Sequence, residues 1–367
     1  MSKRIIDIDE DLATLESKIG NMRIQESTLY DLDFIRSCLV NNNSVSKALV
    51  ELRKYLCTCN TNAIDSVLSM DVLEYLWMYA KSASDKDRYE ISWILTNLSA
   101  GNERQTEILV RNGVIELMAN LLSSENEDVI IQALWCIGNI SGDHCDYRER
   151  IMSCLTSYGG LSFFLSKNTK NEFQMKVLAW VISNLCRLKP TSEYWSIIVN
   201  DLSYCIYSVD IFNCNDQQSI IDFSWGLTRT LHAISTIRRK QLVNIALVNG
   251  LFDVIKRFKT PSVLVPIFRV LTNVVAGDNQ ETAFVLEGNR IEQILSFLDS
   301  DNPGLLKEAL MCLSNIAASD LHGKILHDVE ILSKVLNLLQ SSQATEAIKI
   351  ECLWIISNCV GMSEDIL

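Results

Sequence analysis

Seven positions of the chain carry a large or cationic side chain and are followed four residues later by an amide, with a single arginine as the exception. They are Trp93/Asn97, Trp135/Asn139, Trp180/Asn184, Trp225/Arg229, Arg269/Asn273, Met311/Asn315 and Trp354/Asn358. On a helix, residues i and i+4 lie one turn apart on one face. An amide there can both donate to and accept from a peptide bond. An indole packs along the aliphatic stem of Lys or Arg and attracts its charge. A single such pair is best explained as a core tryptophan beside an asparagine that satisfies a buried backbone group. Repetition changes this. In "WILTNL" the apolar residues Ile94, Leu95 and Leu98 fall on the opposite side from Trp93 and Asn97, and "WCIGNI" and "WVISNL" divide the same way. The pattern reads as a ladder of exposed indoles and amides able to hold an extended peptide.

The elements that must carry this ladder follow from its period. Its first members are spaced 42, 45, 45, 44, 42 and 43 residues apart, within the roughly 40–47 residues of armadillo and HEAT helical repeats. Between successive copies a glycine precedes an apolar-periodic stretch: Gly113 before "VIELMANLL", Gly160 before "LSFFLSK", Gly250 before "LFDVIKRF" and Gly288 before "NRIEQILSFL". Glycine there can adopt the left-handed conformation that ends a helix. Three helices per unit with a sharp first turn indicate armadillo over HEAT. The fold expected is an all-α, right-handed superhelical solenoid of about eight three-helix repeats, with one helix per repeat lining a concave face. Helices of adjacent repeats pack roughly 8–10 Å apart and an extended peptide advances about 3.3 Å per residue, so each repeat spans two to three ligand residues.

Composition agrees. The 367 residues contain only 14 Gly and 4 Pro, with 48% hydrophobic residues, which favours long helices over a many-turned β-fold. The net charge of −12 and a pI near 4.9 argue against nucleic acid or anionic lipid as the partner and for a basic one. No apolar run reaches the roughly 20 residues of a membrane span, and the N-terminus places acids where a signal peptide would have its apolar core, so a soluble intracellular protein is expected. The 12 cysteines are scattered singly, and Cys136, Cys186, Cys312 and Cys352 sit in apolar helical patterns, as reduced core thiols do. Cys57 and Cys59 form a CxC pair with no second pair at zinc spacing, and His144, His232, His322 and His327 are dispersed, so no metal is expected. "IRRKQ" at 237–241 reads as a solvated helix face. With no P-loop, GxGxxG or GxSxG elbow, neither an enzyme nor a cofactor is indicated.

Beyond the period, the repeat-by-repeat detail over residues 45–362 resembles importin-α (karyopherin-α), the armadillo adaptor that recognises basic nuclear localisation signals. "ALWCIGNISGD" resembles that family's third repeat, whose Asp four residues past the Asn holds a key lysine of the signal; here it is Asp143. The Gly and Thr that flank the same lysine fall on Gly101 and Thr106. "WVISNLCRLKP" resembles the fourth repeat and supplies Trp180, Asn184 and Arg187. Acidic or amide residues three before the ladder position are Gln132, Asp222, Glu308 and Glu351. The resemblance implies a major cargo site of Trp93, Asn97, Gly101, Thr106, Gln132, Trp135, Asn139, Asp143, Trp180, Asn184, Arg187, Asp222 and Trp225. It implies a minor site of Arg269, Asn273, Glu308, Asn315, Glu351, Trp354 and Asn358. Met311 stands where that family's seventh repeat carries Trp, and Arg229 adds a cation in the fifth.

What the resemblance implies for function is a nuclear import adaptor that binds Lys/Arg-rich localisation signals, shuttling between cytoplasm and nucleus. An armadillo scaffold using the same groove for another partner is the alternative. Importin-β is the family's carrier, recruited through a basic N-terminal segment, whereas residues 1–40 here hold five basic residues against eight acids. The expected domains are that N-terminal segment, 1–40, and an armadillo domain, 41–367, whose last repeat is truncated at "GMSEDIL".

Overall fold

The computed structural model describes residues 30–58, 62–162, 172–189, 191–321 and 329–361. Among these every regular element is helical, and the chain divides into two units at Asn168/Thr169. Helices are labelled below in order among the described residues.

The first unit contains α1 (Leu32–Val40), α2 (Val45–Leu56), α3 (Ala63–Ser69), α4 (Leu73–Ala80), α5 (Asp85–Ser99), α6 (Glu103–Arg111), α7 (Val114–Leu121), α8 (Glu127–Asp143) and α9 (Cys145–Thr156). The second contains α10 (Glu172–Leu185), α11 (Trp195–Tyr207), α12 (Gln217–Ala233), α13 (Thr236–Leu242), α14 (Ile245–Arg257), α15 (Pro261–Val275), α16 (Asn279–Val285), α17 (Arg290–Leu295), α18 (Pro303–Ala317), α19 (Val329–Gln340) and α20 (Glu346–Gly361), with short 3-10 turns at Ile211–Asn213 and Ser296–Asp299.

The long helices that carry the Trp/Asn columns stack on one another. In the first unit α2 packs on α5 and α5 on α8; in the second the order is α10, α12, α15, α18, α20. Each described start of such a helix from α5 to α18 has a local cause. Ser84, Asn126, Asp216 and Asn302 accept from the first free backbone N–H groups of α5, α8, α12 and α18, and Pro261 and Pro303 stand at the first turn of α15 and α18. Their apolar faces are fully buried: Ile94, Leu95 and Leu98 on α5, Ile137 and Ile140 on α8, Val181, Ile182 and Leu185 on α10. Each such side chain contributes about 1.5–3 kcal/mol.

Gly113 has φ +83° and turns the chain sharply between α6 and α7, and Gly160 and Gly288 are also left-handed. Gly250 departs from this expectation. It lies inside α14, which runs straight through it, and a Cβ there would meet the Phe212 ring at 2.9 Å. Close packing, not turning, requires that glycine. Packing also begins before residue 41, because α1 lies against α2 and α4 and the Arg36 Nε donates to the Met70 carbonyl at 2.8 Å. Residues 1–29, with most of the acidic N-terminal segment, and 362–367, with "MSEDIL", lie outside the described residues.

Candidate functional site

The expected exposed indoles are found only in part. Trp354 is 56% exposed and Trp225 is half-buried, but Trp93, Trp135 and Trp180 retain only 8%, 7% and 3% of their surface. Stacking of the long helices is the reason. Trp93 illustrates it: the Tyr89 ring lies 5.5 Å away, and the Arg53 guanidinium from α2 lies 4.3 Å from the centroid of its own ring.

The amides show what the fourth-residue column does. Asn139 Nδ2 donates to the Thr96 carbonyl at 3.2 Å and to Ser99 Oγ at 3.2 Å. Asn315 donates to the Thr272 carbonyl and Asn358 to the Ser314 carbonyl, both at 3.1 Å. In each case the acceptor is the residue just before the previous rung's asparagine. Arg229 Nη1 keeps the rule, bonding the Ser183 carbonyl at 3.2 Å, just before Asn184. The donor end of these amides therefore clamps one repeat to the next and is not held in reserve for a ligand, which corrects the picture of an amide with both ends free. Asn97 differs, donating to Cys57 Sγ at 3.4 Å while its Oδ1 is buried with no hydrogen-bond partner. Asn273 donates within its own helix to the Arg269 carbonyl, and Asn184 is buried. A second recurring bond comes from the residue before the asparagine: Thr96 Oγ1 donates to the Gln132 carbonyl and Thr272 Oγ1 to that of Glu308.

Two of the acids three residues before a ladder position, Glu308 and Glu90, are partners of arginines. Glu308 is buried and receives both Nε, at 2.6 Å, and Nη2 of Arg269. Asp222 and Gln132 are also buried, and Glu351 is half-buried. Glu90 stands three before Trp93 and receives Arg53 Nε at 2.5 Å. Arg53 and Cys57 are thus a rung preceding Trp93/Asn97, 40 residues upstream, that the sequence reading passed over. Arg269, an arginine in the tryptophan column, was the signal that could have revealed it.

Around Asp143, the last residue of α8, the first unit gathers negative charge. A surface cavity of about 470 Å³ is lined by Glu103, Arg104, Glu107, His144, Asp146 and Tyr147. Partial burial, then Glu107, Asp143 and Glu103, raise the Tyr147 pKa above its ordinary value. Gly101 and Thr106 sit at the α6 end of this region. Gly101 leaves room for Gln105 to fold back and accept from the Asn102 N–H at 2.8 Å, closing a reciprocal cap. Thr106 is fully buried, with its hydroxyl donating to the Asn102 carbonyl. In the second unit Arg187 follows the end of α10 and is half-exposed.

Other candidates resolve as follows. His144 caps α9 by accepting the Asp146 N–H, and it brings its ring nitrogen within 4.8 Å of Cys145 and Asp146 donor atoms. His322, His327 and Cys59 lie outside the described residues. Cys136, Cys186, Cys312 and Cys352 are buried free thiols; burial pushes the first three to about 12 and Cys352 to about 11. The 237–241 run is not a uniformly solvated face: Ile237 is exposed, but Arg239 is drawn inward to Glu281 at 2.5 Å and to the Leu231 and Asn273 carbonyls. No helix among the described residues is long and apolar enough to cross a membrane.

The Armadillo/beta-catenin-like repeat family matches residues 102–142, the stretch from α6 through the ladder helix α8. A crystal structure of an engineered protein superposes with a TM-score of 0.74 at 19% identity, covering 89% of this chain and 78% of that one. The molecule is an all-α armadillo-repeat protein. Its sequence relatives narrow the class. It is 26% identical over 270 residues to importin subunit alpha-1b of Oryza sativa subsp. japonica, which spans 71% of this chain and 48% of that protein. It is 28% identical over 305 residues to importin subunit alpha-9 of Arabidopsis thaliana (80% and 57%), and 26% over 321 residues to importin subunit alpha-2 of Caenorhabditis elegans (85% and 59%). The chain is similar to importin-α subunits over 71–85% of its length, and it spans about half the length of the curated relatives it matches.

Proposed function

We propose that this protein is a nuclear import adaptor whose ladder helices bind Lys/Arg-rich localisation signals of cargo proteins in an extended conformation. The observation that carries the reading is the cavity at the end of α8, lined by Glu103, Glu107, Asp146 and Tyr147 with Arg104 and His144, where Asp143, one turn after Asn139 on the same helix, adds its charge at Tyr147. A lysine ammonium seated there gains several carboxylates. The overall charge of −12 steers basic peptides toward it. The resemblance to importin-α adds the transport context: a cargo protein as the ligand and residence in both cytoplasm and nucleus, with importin-β as that family's carrier although residues 1–40 here hold five basic residues against eight acids. Nothing in this reading needs catalysis. The second unit carries its own ladder, with Trp180, Trp225 and Arg269 followed by the more open Trp354/Asn358 rung.

The test is fluorescence anisotropy of a labelled lysine-rich localisation-signal peptide against the full chain, beside a peptide whose key lysine is alanine, over a salt series. Micromolar or tighter binding that the single alanine abolishes supports the adaptor. Absence of binding, or weak binding that ignores the substitution and vanishes with salt, means the repeats serve a different partner.

A further inference from the structure

The α12 rung breaks the ladder's chemistry while keeping its structural bond. At other rungs a neutral amide donates to the carbonyl before the previous rung, as Asn139, Asn315 and Asn358 do. At 229 a guanidinium does this with Nη1 alone, reaching the Ser183 carbonyl at 3.2 Å and Ser183 Oγ at 3.1 Å. Both acceptors are neutral. Among the described residues Arg229 has no ion pair, unlike Arg53, Arg239 and Arg269, each of which meets a buried glutamate. Its Nε and Nη2 are not engaged by any described hydrogen bond, and the side chain is half-buried one turn after the half-buried Trp225. Nearby charge adds to this. Burial and then Arg187 pull the Arg229 pKa down, and both outweigh the opposing effect of Asp222. A half-buried cation next to another cation, with planar donors to spare, is suited to bidentate capture of an oxyanion.

We propose that Arg229 makes the α12 rung an anion-reading position, so that an extended peptide on the second unit's ladder is held there by a carboxylate or phosphate side chain and not by Lys or Arg. This rests on the groove reading above and adds a sequence rule to it. A ligand would place an acidic or phosphorylated residue where its chain meets Trp225 and Arg229, and phosphorylation of a serine there would strengthen binding. The selection is two-sided, since a lysine at that position faces Arg229 with Arg187 close by.

The experiment uses the full chain and a series of peptides. Each carries the same lysine-rich cluster with flanking segments on both sides, in which Glu, phosphoserine, Ser or Lys is stepped through successive positions. At one or two adjacent positions Glu should tighten binding roughly five- to tenfold over Ser, phosphoserine more, and Lys should weaken it. In Arg229→Asn, which restores the amide of the other rungs and so keeps the bond to Ser183, the preference should vanish. In Arg229→Lys it should persist in weaker form, because the charge remains and the fork is lost. Circular dichroism and thermal melting of both variants check that they fold. Binding of the basic peptides with no acidic preference at any position, or a preference that survives in a folded Arg229→Asn, overturns the Arg229 proposal alone. Failure of every basic peptide to bind overturns the groove reading, and this inference with it.

Discussion

The Arg53 guanidinium lies 4.3 Å from the centroid of the Trp93 ring and bonds Glu90 through Nε at 2.5 Å. Arg53 thus sits on an indole in the way a ligand's arginine is expected to, with a carboxylate one turn away from that indole. Arg269 and Glu308 repeat the ion pair in the second unit. Breaking such a pair on one side leaves a carboxylate with 8% side-chain exposure without its cation. Arg53→Ala and Glu90→Ala should each lower stability by about 2 kcal/mol. A double-mutant cycle followed by denaturant melting should return a coupling of about 1 kcal/mol or more, and additive losses would mean that the pair is incidental.

The amide clamp makes a different demand. Asn139→Ala removes both donors to Thr96 and Ser99 inside a fully buried site, so a loss of about 1–3 kcal/mol is expected even with no ligand present. Asn97→Ala, which gives up a bond to a thiol sulfur at 3.4 Å, should cost less. Equal and negligible losses in thermal melts would return the asparagine column to a purely ligand-facing role.

Asp143 ends the ladder helix α8 and acts electrostatically on Tyr147, which lines the cavity. Asp143→Lys should weaken a lysine-rich peptide by on the order of a hundredfold, and Asp143→Asn by less, because the first replaces attraction with repulsion and the second only removes it. Asp143 is half-exposed at a helix end, so the melting temperature should move little. Titration calorimetry beside a melt separates the two effects. An unchanged affinity with Asp143→Lys would remove the lysine pocket from this site.

Thiol reactivity should divide sharply. With pKa values pushed to about 12 by burial, Cys136, Cys186 and Cys312 carry almost no thiolate at pH 7.5. Exposed Cys57 should alkylate in minutes in the native protein, and those three only after denaturant is added. Peptide mapping by mass spectrometry reads this directly, and modification of Cys136 under native conditions would contradict the packing of α8 on α5.

Glu351 gives the pH dependence. Burial raises its carboxyl above the ordinary value of 4.5; the Lys307 charge opposes this and Glu308 adds to it. Because the folded-state pKa is the higher one, folding and proton uptake are linked. Below the unfolded value both states are protonated and the site is neutral in effect. As pH rises through that value and then the folded one, the unfolded chain ionises more readily and the carboxyl destabilises the fold. Glu351→Gln should therefore raise the melting temperature at pH 7 and leave it unchanged near pH 4. A shift of the opposite sign would show that Glu351 is held by a cation already in the protein.

The sequence alone determined the period, the helix that carries each rung and the class of fold, because a 42–45-residue repeat with i, i+4 columns leaves few ways to bury one apolar face per helix. The turn at Gly113 was legible for the same local reason. The first rung, Arg53/Cys57, stayed hidden because it shares neither residue with the Trp/Asn theme. What only the tertiary structure decided is how each rung is used. Whether an indole at 93, 135 or 180 faces solvent, whether Asn139 spends its amide on Thr96, and whether Gly250 turns the chain or makes room for Phe212 depend on the neighbouring helix. That helix lies about 40 residues away in sequence, and no local pattern records its distance.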